Sequence, residues 1–118
     1  MSDDTRSPRP PMTRADREAA AVDLEGIRER IDELDRRIVA LLNERAELGL
    51  AAGRAKTIAG RRAVRDAERE REVLLRVAMA NPGPIGQAPL LSIYRRIVAA
   101  TRGLEARDRS HDGRTGDG

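Results

Sequence analysis

The stretch LEGIRERIDELDRRIVALLNERAELGLAAGRAK, residues 24–56, decides the fold of this 118-residue chain. Its apolar residues recur at alternating spacings of three and four, at Leu24, Ile27, Ile31, Leu34, Ile38 and Leu41. Such spacing is the heptad seam of an amphipathic helix. No proline interrupts the stretch, and Gly49 and Gly53 only weaken it. The sequence therefore predicts one helix of roughly 33 residues, about 50 Å long.

Two shorter helices are expected after this one. Gly60 breaks the first pattern, and Asp66 is a suitable cap or first-turn residue for a second helix that ends near Ala80. The run 81–89, rich in Pro and Gly, separates it from a third helix. The seam of the third helix again alternates in spacing, through Leu90, Tyr94, Ile97, Thr101 and Leu104. The predicted fold class is all-α, with one long and two shorter helices.

Both ends of the chain differ in composition from this central part. Residues 1–22 include the segment SPRPP and show no apolar periodicity, which predicts a disordered N-terminal arm. Residues 107–118, RDRSHDGRTGDG, are polar and rich in Gly, and predict a disordered C-terminal tail. The expected helical domain is residues 23–106.

The composition excludes several kinds of site. The chain has no Cys, Trp or Phe, one His and one aromatic residue, Tyr94. Disulfides, thiolate nucleophiles, Cys-based metal sites and multi-His centres are therefore excluded, and we expect neither a metal nor a cofactor. No apolar run approaches the roughly 20 residues needed to cross a bilayer, so we expect a cytoplasmic protein without a membrane partner.

The basic residues do not form a nucleic-acid-binding pattern. Lys and Arg number 23 against 20 Asp and Glu, a net charge of only +3, and acids alternate with bases along the chain. Nucleic-acid binders instead cluster their cations and often add aromatic stacking platforms. We therefore expect no nucleic-acid partner. The cations have one unusual feature, since 22 of the 23 are Arg and Lys56 is the single lysine.

The proportions of the helices predict a homodimer. The first helix is expected to be about twice as long as either partner, so a monomeric three-helix bundle would leave part of its seam in water. An exposed apolar seam of this kind is normally covered by another chain. We expect two long helices to pack on each other with two-fold symmetry.

Charged residues on the long helix favour a small anionic ligand. Arg45 falls on the seam, and Lys56 follows 11 residues later, within roughly 20° of the same direction and about 16 Å along the axis. Arg28 lies 17 residues before Arg45, too far to join them from the same chain, but an antiparallel partner could supply it. Arg side chains match carboxylate geometry, so a dicarboxylate suits this set.

The other two helices add polar side chains to the same candidate site. Asp66, Arg69 and Glu70 fall within one turn, and Glu105 lies one turn after the seam residue Thr101. Each feature also has a purely structural interpretation. Arg45 alone is more often a snorkelling or register-setting residue, the charged segment around Arg69 a solvated helix face, and Thr101 a core hydroxyl bonded to its own backbone.

Three segments together resemble the all-helical class of chorismate mutases. They are IRERIDELDRRIVALLNERAELGLAAGRAK (27–56), AVRDAEREREVLLRV (63–77) and NPGPIGQAPLLSIYRRIVAATRGLE (81–105). The resemblance covers the expected helical domain. It implies an entwined helical homodimer with two sites, which agrees with the dimer inferred from helix lengths.

The resemblance also implies roles for individual residues. The substrate-binding set would be Arg28 from the partner chain, Arg45, Lys56, Asp66, Arg69, Glu70, Thr101 and Glu105. Arg28 and Arg45 would hold the substrate carboxylates, and the catalytic residues would be Lys56 and Glu105, beside the breaking ether bond. Thr101 stands where the family commonly has Ser and keeps a hydroxyl. Glu105 stands where members have Gln or Glu, and it can donate only as a protonated acid.

The implied reaction is the pericyclic rearrangement of chorismate to prephenate, a step toward phenylalanine and tyrosine, which requires no nucleophile, metal or cofactor. On the same scaffold, 4-amino-4-deoxychorismate mutase and isochorismate pyruvate lyase remain open, because they differ at the ring substituent. Outside the enzymes, a helical dimerisation module remains open. A regulatory partner among the shikimate-pathway enzymes also remains open, since some small family members have one.

Overall fold

The computed structural model describes residues 10–60 and 67–115 of the chain. Within these ranges the chain forms three helices and no strand. The helices are α1 (Arg14–Ile58), α2 (Ala67–Ala80) and α3 (Gln87–Thr115). The all-helical fold predicted from the sequence is confirmed.

Helix α1 begins ten residues before the first residue of the apolar seam, Leu24. Its start is set by a helix cap, which the spacing of apolar residues does not predict. The Asp16 N–H donates to Thr13 Oγ1 at 3.1 Å, and the Thr13 N–H donates back to the Asp16 carboxylate at 3.0 Å. This reciprocal capping box satisfies two N–H groups at the helix start. The bond from the Thr13 N–H favours the ionised carboxylate, and the Thr13 side chain adds to it, so the pKa of Asp16 lies below its ordinary value.

The termini therefore differ from the expected disordered arms. Residues 14–22, expected in the N-terminal arm, are the first turns of α1, and residues 107–115, expected in the tail, continue α3. Residues 10–13 precede the helix, and residues 1–9 and 116–118 of the two arms lie outside the described residues. With 45, 14 and 29 residues in α1, α2 and α3, the long helix is at least twice the length of α2 but not of α3.

The extension of α3 is held by an ion pair across two helices. Arg54 of α1 binds Asp108 of α3 with two hydrogen bonds, from Nε at 3.0 Å and from Nη2 at 2.8 Å. The bidentate geometry is the strong form of an Arg–carboxylate contact. A polar composition alone therefore did not identify a tail, because one of these polar side chains, Asp108, has a partner on α1.

Short turns set the ends of the helices. Helix α1 ends at Ile58, and the turn that follows contains Gly60, whose φ of 75° is readily accessible only to glycine. Between α2 and α3, the Asn81 side chain accepts from the Gly83 N–H at 3.0 Å and donates to the Ile85 carbonyl at 2.8 Å. Gln87 then donates to the carbonyl of Ala78 at 2.6 Å, which ties the start of α3 to the end of α2.

The chain divides into two compact units, Met1–Val39 and Ala40–Gly118. In the first unit, the described residues 10–39 belong to α1 and the segment before it, and the seam side chains are half exposed, with Leu24 at 46% and Ile31 at 48%. The second unit contains the rest of α1 together with α2 and α3. Of the residues whose burial is described, only Thr101 in this unit is buried, at 9% exposure.

None of the helices in the described ranges is both long enough and apolar enough to cross a membrane.

Candidate functional site

The second unit contains a cavity of about 560 Å³ between the C-terminal part of α1, α2 and α3. Most of the predicted site residues line it. Its charged lining consists of Arg45, Lys56, Arg69, Glu70, Arg102, Glu105 and Arg109. Five cations against two carboxylates leave an excess of positive charge, which suits an anionic ligand.

Arg45 is oriented in this cavity by Thr101. Its Nη1 donates to Thr101 Oγ1 at 3.3 Å, and the Thr101 hydroxyl donates to the carbonyl of Ile97 at 3.1 Å. The hydroxyl therefore bonds to its own backbone, as a core threonine does, and also accepts from the guanidinium. A hydroxyl at position 101 thus links the seam of α3 to the cation on α1.

Gly49 of α1 lets α3 approach closely at this point, a role that was not predicted from the sequence, whereas a Cβ at Gly53 would make only an ordinary contact with α3. A Cβ at Gly49 would overlap Cγ2 of Thr101, and a Cβ at Gly53 would lie 3.6 Å from Cγ of Glu105. The expectation that Gly49 only weakens the helix is thereby corrected. The signal was available, since two glycines four residues apart in a helix without a turn indicate close approach of another element.

On α2, Arg69 and Glu70 both line the cavity and both have ionic partners. Arg69 Nη1 lies 3.2 Å from Glu72 Oε2 on the same helix. Glu70 Oε1 lies 3.0 Å from Arg102 Nε on α3, and the Glu70 side chain is only 20% exposed. The carboxylate of Glu70 is thus held between α2 and α3 at the cavity wall.

Arg102 and Arg109 were not predicted from the sequence. They lie at +4 and +11 from Val98 on α3, with Glu105 at +7, so all four residues share one helix face. All four line the cavity. The spacing from Val98 could therefore have identified the two arginines. Val98 lies next to the predicted seam of α3, which passes through Ile97 and Thr101.

The remaining predicted residues are distributed differently. Lys56, in the last turn of α1, lines the cavity together with Arg45. Arg28 is an exposed residue of α1 in the first unit, and the cavity belongs to the second. Asp66 lies outside the described residues. Within the described ranges, no group of three or more His, Cys, Asp or Glu side chains could hold a metal ion.

Known proteins of one family are similar in sequence to most of this chain. Residues 27–106 match the family model described as chorismate mutase type II. Two similar proteins are named bifunctional chorismate mutase/prephenate dehydratase. The one from Aquifex aeolicus (strain VF5) is 37% identical over 87 residues, and the one from Stutzerimonas stutzeri is 34% identical over 86 residues. Each match covers 70% of this chain and 24% of the relative, so the chain spans about a quarter of their length.

A solved structure extends the similarity to the arrangement of the helices. It is that of chorismate mutase (form II) from Thermus thermophilus, which matches with a TM-score of 0.68 and 32% identity. The match covers 72% of this chain and 96% of that one. On the family match and this structural similarity, the chain belongs to the chorismate mutase type II family.

Proposed function

We propose that the protein is a chorismate mutase, which converts chorismate to prephenate for phenylalanine and tyrosine synthesis in the cytoplasm. One observation carries this proposal. A single cavity is lined by Arg45, Lys56 and Arg69 together with Glu70, Thr101 and Glu105. Chorismate is a dicarboxylate with an ether and a ring hydroxyl, so cations and hydrogen-bonding groups on one wall match its functional groups.

In this proposal, Arg45 and Arg69 bind carboxylates and fix the shape of the substrate. The rearrangement is intramolecular, and it needs the enolpyruvyl chain held over the ring. Holding reacting atoms in such a near-attack arrangement is a large source of rate acceleration. The contact of Arg45 with Thr101 at 3.3 Å supports this role, because it keeps the guanidinium in the cavity.

Lys56 and Glu105 act on the ether oxygen, where negative charge develops as the C–O bond breaks. A cation and a hydrogen-bond donor fixed at that oxygen stabilise the transition state more than the ground state. A neutral donor at position 105 favours this transition state, since a full negative charge there would repel the developing charge. Glu105→Gln keeps a donor and is expected to keep activity, whereas Glu105→Ala is expected to lose it.

Two parts of the proposed site rest on a second copy of the chain or on the family resemblance. We propose a homodimer in which the partner supplies its Arg28 to the cavity of this chain. The half-exposed apolar seam of the first unit supports it, since a seam with Leu34 at 49% and Ile38 at 51% exposure is suited to burial against a second helix. Asp66 completes the set near the ring hydroxyl, as the resemblance implies.

The direct experiment measures the loss of ultraviolet absorbance of chorismate and identifies the product. The expected product is prephenate. Lys56→Ala should lower kcat/KM by about 10²–10³, the usual effect of removing one donor from a developing oxyanion. Arg95→Ala removes an exposed cation of α3 and serves as the matched control, with activity expected to remain.

Other outcomes would overturn this assignment. Turnover of 4-amino-4-deoxychorismate in preference to chorismate would make the protein an aminodeoxychorismate mutase. Release of pyruvate and salicylate from isochorismate would make it a lyase. A dimer that turns over none of the three substrates would leave a helical dimerisation module as the function.

A further inference from the structure

Arg102 has no part in the proposed binding of chorismate, yet it lines the cavity. Its Nε lies 3.0 Å from Glu70 Oε1, so it joins α3 to α2 across the cavity wall. The Nε atom is buried, and within the described residues it has no hydrogen-bond acceptor. The N–H therefore points off the line to Glu70, and the contact is an ion pair and not an aligned hydrogen bond.

The charges of Arg102 and Glu70 act on ligand groups close to them in the cavity. The side chains of Arg102 and Glu70 are 36% and 20% exposed, so water screens their charges less than it does for a fully exposed pair. An unpaired carboxylate at this wall would attract a cationic ligand group. When a carboxylate is next to a guanidinium, the pair as a whole carries little net charge. The carboxylate oxygens still have several lone pairs with which to accept hydrogen bonds.

The consequence concerns the substituent on the substrate ring. This inference rests on the proposed function and extends it by placing Glu70 at the ring hydroxyl, beside Asp66, because the family resemblance assigns the hydroxyl and carboxylate contacts to Asp66, Arg69 and Glu70 together. A hydroxyl is neutral and needs only an acceptor, whereas an aliphatic amine at the same ring position is an ammonium at neutral pH. The charge of Arg102 repels an ammonium and leaves hydrogen bonding of a hydroxyl largely unchanged.

We propose that Arg102 is a specificity-determining residue, which neutralises Glu70 and so selects a ring hydroxyl over a ring ammonium. It acts through Glu70 and is therefore a positioning residue. The other cations of the cavity disfavour an ammonium as well, but Arg102 is the one that lies 3.0 Å from Glu70, a carboxylate proposed to face the substituent. Selectivity between chorismate and 4-amino-4-deoxychorismate would then depend on this ion pair.

The test compares kcat/KM for these two substrates in the wild type and in Arg102→Gln. The wild type should prefer chorismate. In Arg102→Gln the preference should fall by roughly tenfold or more, because a unit charge removed within a few ångströms of the substituent has at least that effect in a partly buried site. The inhibition constant of the amino compound as a competitor of chorismate gives a second measure of the same preference.

Three further variants separate charge from structure. Arg102→Lys keeps the cation and should restore most of the preference. Glu70→Gln removes the negative partner, so the uncompensated Arg102 should disfavour the amino compound more strongly, and the preference should shift in the opposite direction to that of Arg102→Gln. Arg95→Gln, an exposed arginine of the same helix, should leave the preference unchanged. Circular dichroism reports whether each variant folds.

The outcomes distinguish this inference from the proposed function. If the wild type turns over chorismate but Arg102→Gln keeps the wild-type preference, the inference is overturned and the proposed function stands. Should Arg102→Gln fail to fold, a preference in Glu70→Gln that stays constant or falls overturns it equally. If the wild type turns over neither substrate, the proposed function itself fails.

Discussion

The two units of the chain differ in how regular their sequence is, and the difference separates surface from site. In the first unit, apolar residues of α1 follow an unbroken alternation of three and four, and their side chains are half exposed. In the second unit, Arg45 interrupts the same seam, and Gly49 follows it at a close approach to Thr101 of α3. We propose that the regular seam packs against a second chain, while its irregular continuation lines the cavity.

The largest effect on assembly and activity is expected from a substitution that places a charge on the regular apolar seam of the first unit. Ile31→Asp places a carboxylate on the seam of the first unit, at a residue that is 48% exposed in the single chain. If the seam is buried in a dimer, an unpaired charge there is strongly unfavourable. The variant should be monomeric by analytical ultracentrifugation and should lose most of its activity, since it lacks the Arg28 of a partner.

The matched control is Arg36→Asp, a charge change on the polar side of the same helix, which should remain dimeric. A dimeric and active Ile31→Asp would show that the seam of the first unit is not the interface.

A smaller effect is expected from adding one methyl group to each unit. Gly49→Ala forces a Cβ onto Cγ2 of Thr101, and overpacking of this kind typically destabilises by about 1–3 kcal/mol. It should also lower activity, because Thr101 accepts the hydrogen bond that orients Arg45. Thermal unfolding and kcat/KM measure the two effects.

Gly26→Ala is the corresponding change in the first unit, where no atom lies within 4 Å of the added Cβ. Because glycine disfavours a helix interior, Gly26→Ala should raise the free energy of unfolding by about 0.5–1 kcal/mol and leave activity unchanged. Equal effects of the two substitutions would remove the distinction between the units.

The smallest effect concerns the first turn of α1. The capping bonds hold the pKa of Asp16 below 3.8, so the stabilisation they supply is present above that pH and is lost as the pH falls through the lowered value. Asp16→Ala removes it at neutral pH. Hydrogen exchange of amides in the first turn should become faster in the variant, while activity stays the same.

If Asp16→Ala leaves the hydrogen-exchange rates of the first-turn amides unchanged, the capping box does not stabilise the start of α1. Asp23→Ala, a carboxylate further along the same helix, serves as the control.

Much of the fold was predictable because apolar spacing reports a helix that packs on one side. The seam through Ile31 and Leu34 located α1, and the Pro and Gly run at 81–89 located the boundary between α2 and α3. The start of α1 was not found, because the capping box of Thr13 and Asp16 lies outside any apolar period. The end of α3 was not found either, since its contact to Arg54 joins residues 54 positions apart.

The candidate site was predictable only in part, for a related reason. Arg45 and Thr101 stand out because they are polar residues on apolar seams. Arg102 and Arg109 do not stand out in an Arg-rich chain; their spacing from Val98 places them on one face of α3, and the structure shows that this face lines the cavity. The spacing of Gly49 and Gly53 indicates that another element approaches α1, but the local sequence does not show that the residue approaching Gly49 is Thr101.

Mixed dimers test most directly whether the cationic cavity of one chain is completed by Arg28 of another. Arg28→Ala and Lys56→Ala homodimers should each be inactive toward chorismate. Differently tagged chains of the two variants, unfolded together, refolded and purified through both tags, should have one working site per dimer, because one cavity regains both side chains. Purified mixed dimers that remain as inactive as the parents would contradict the shared site.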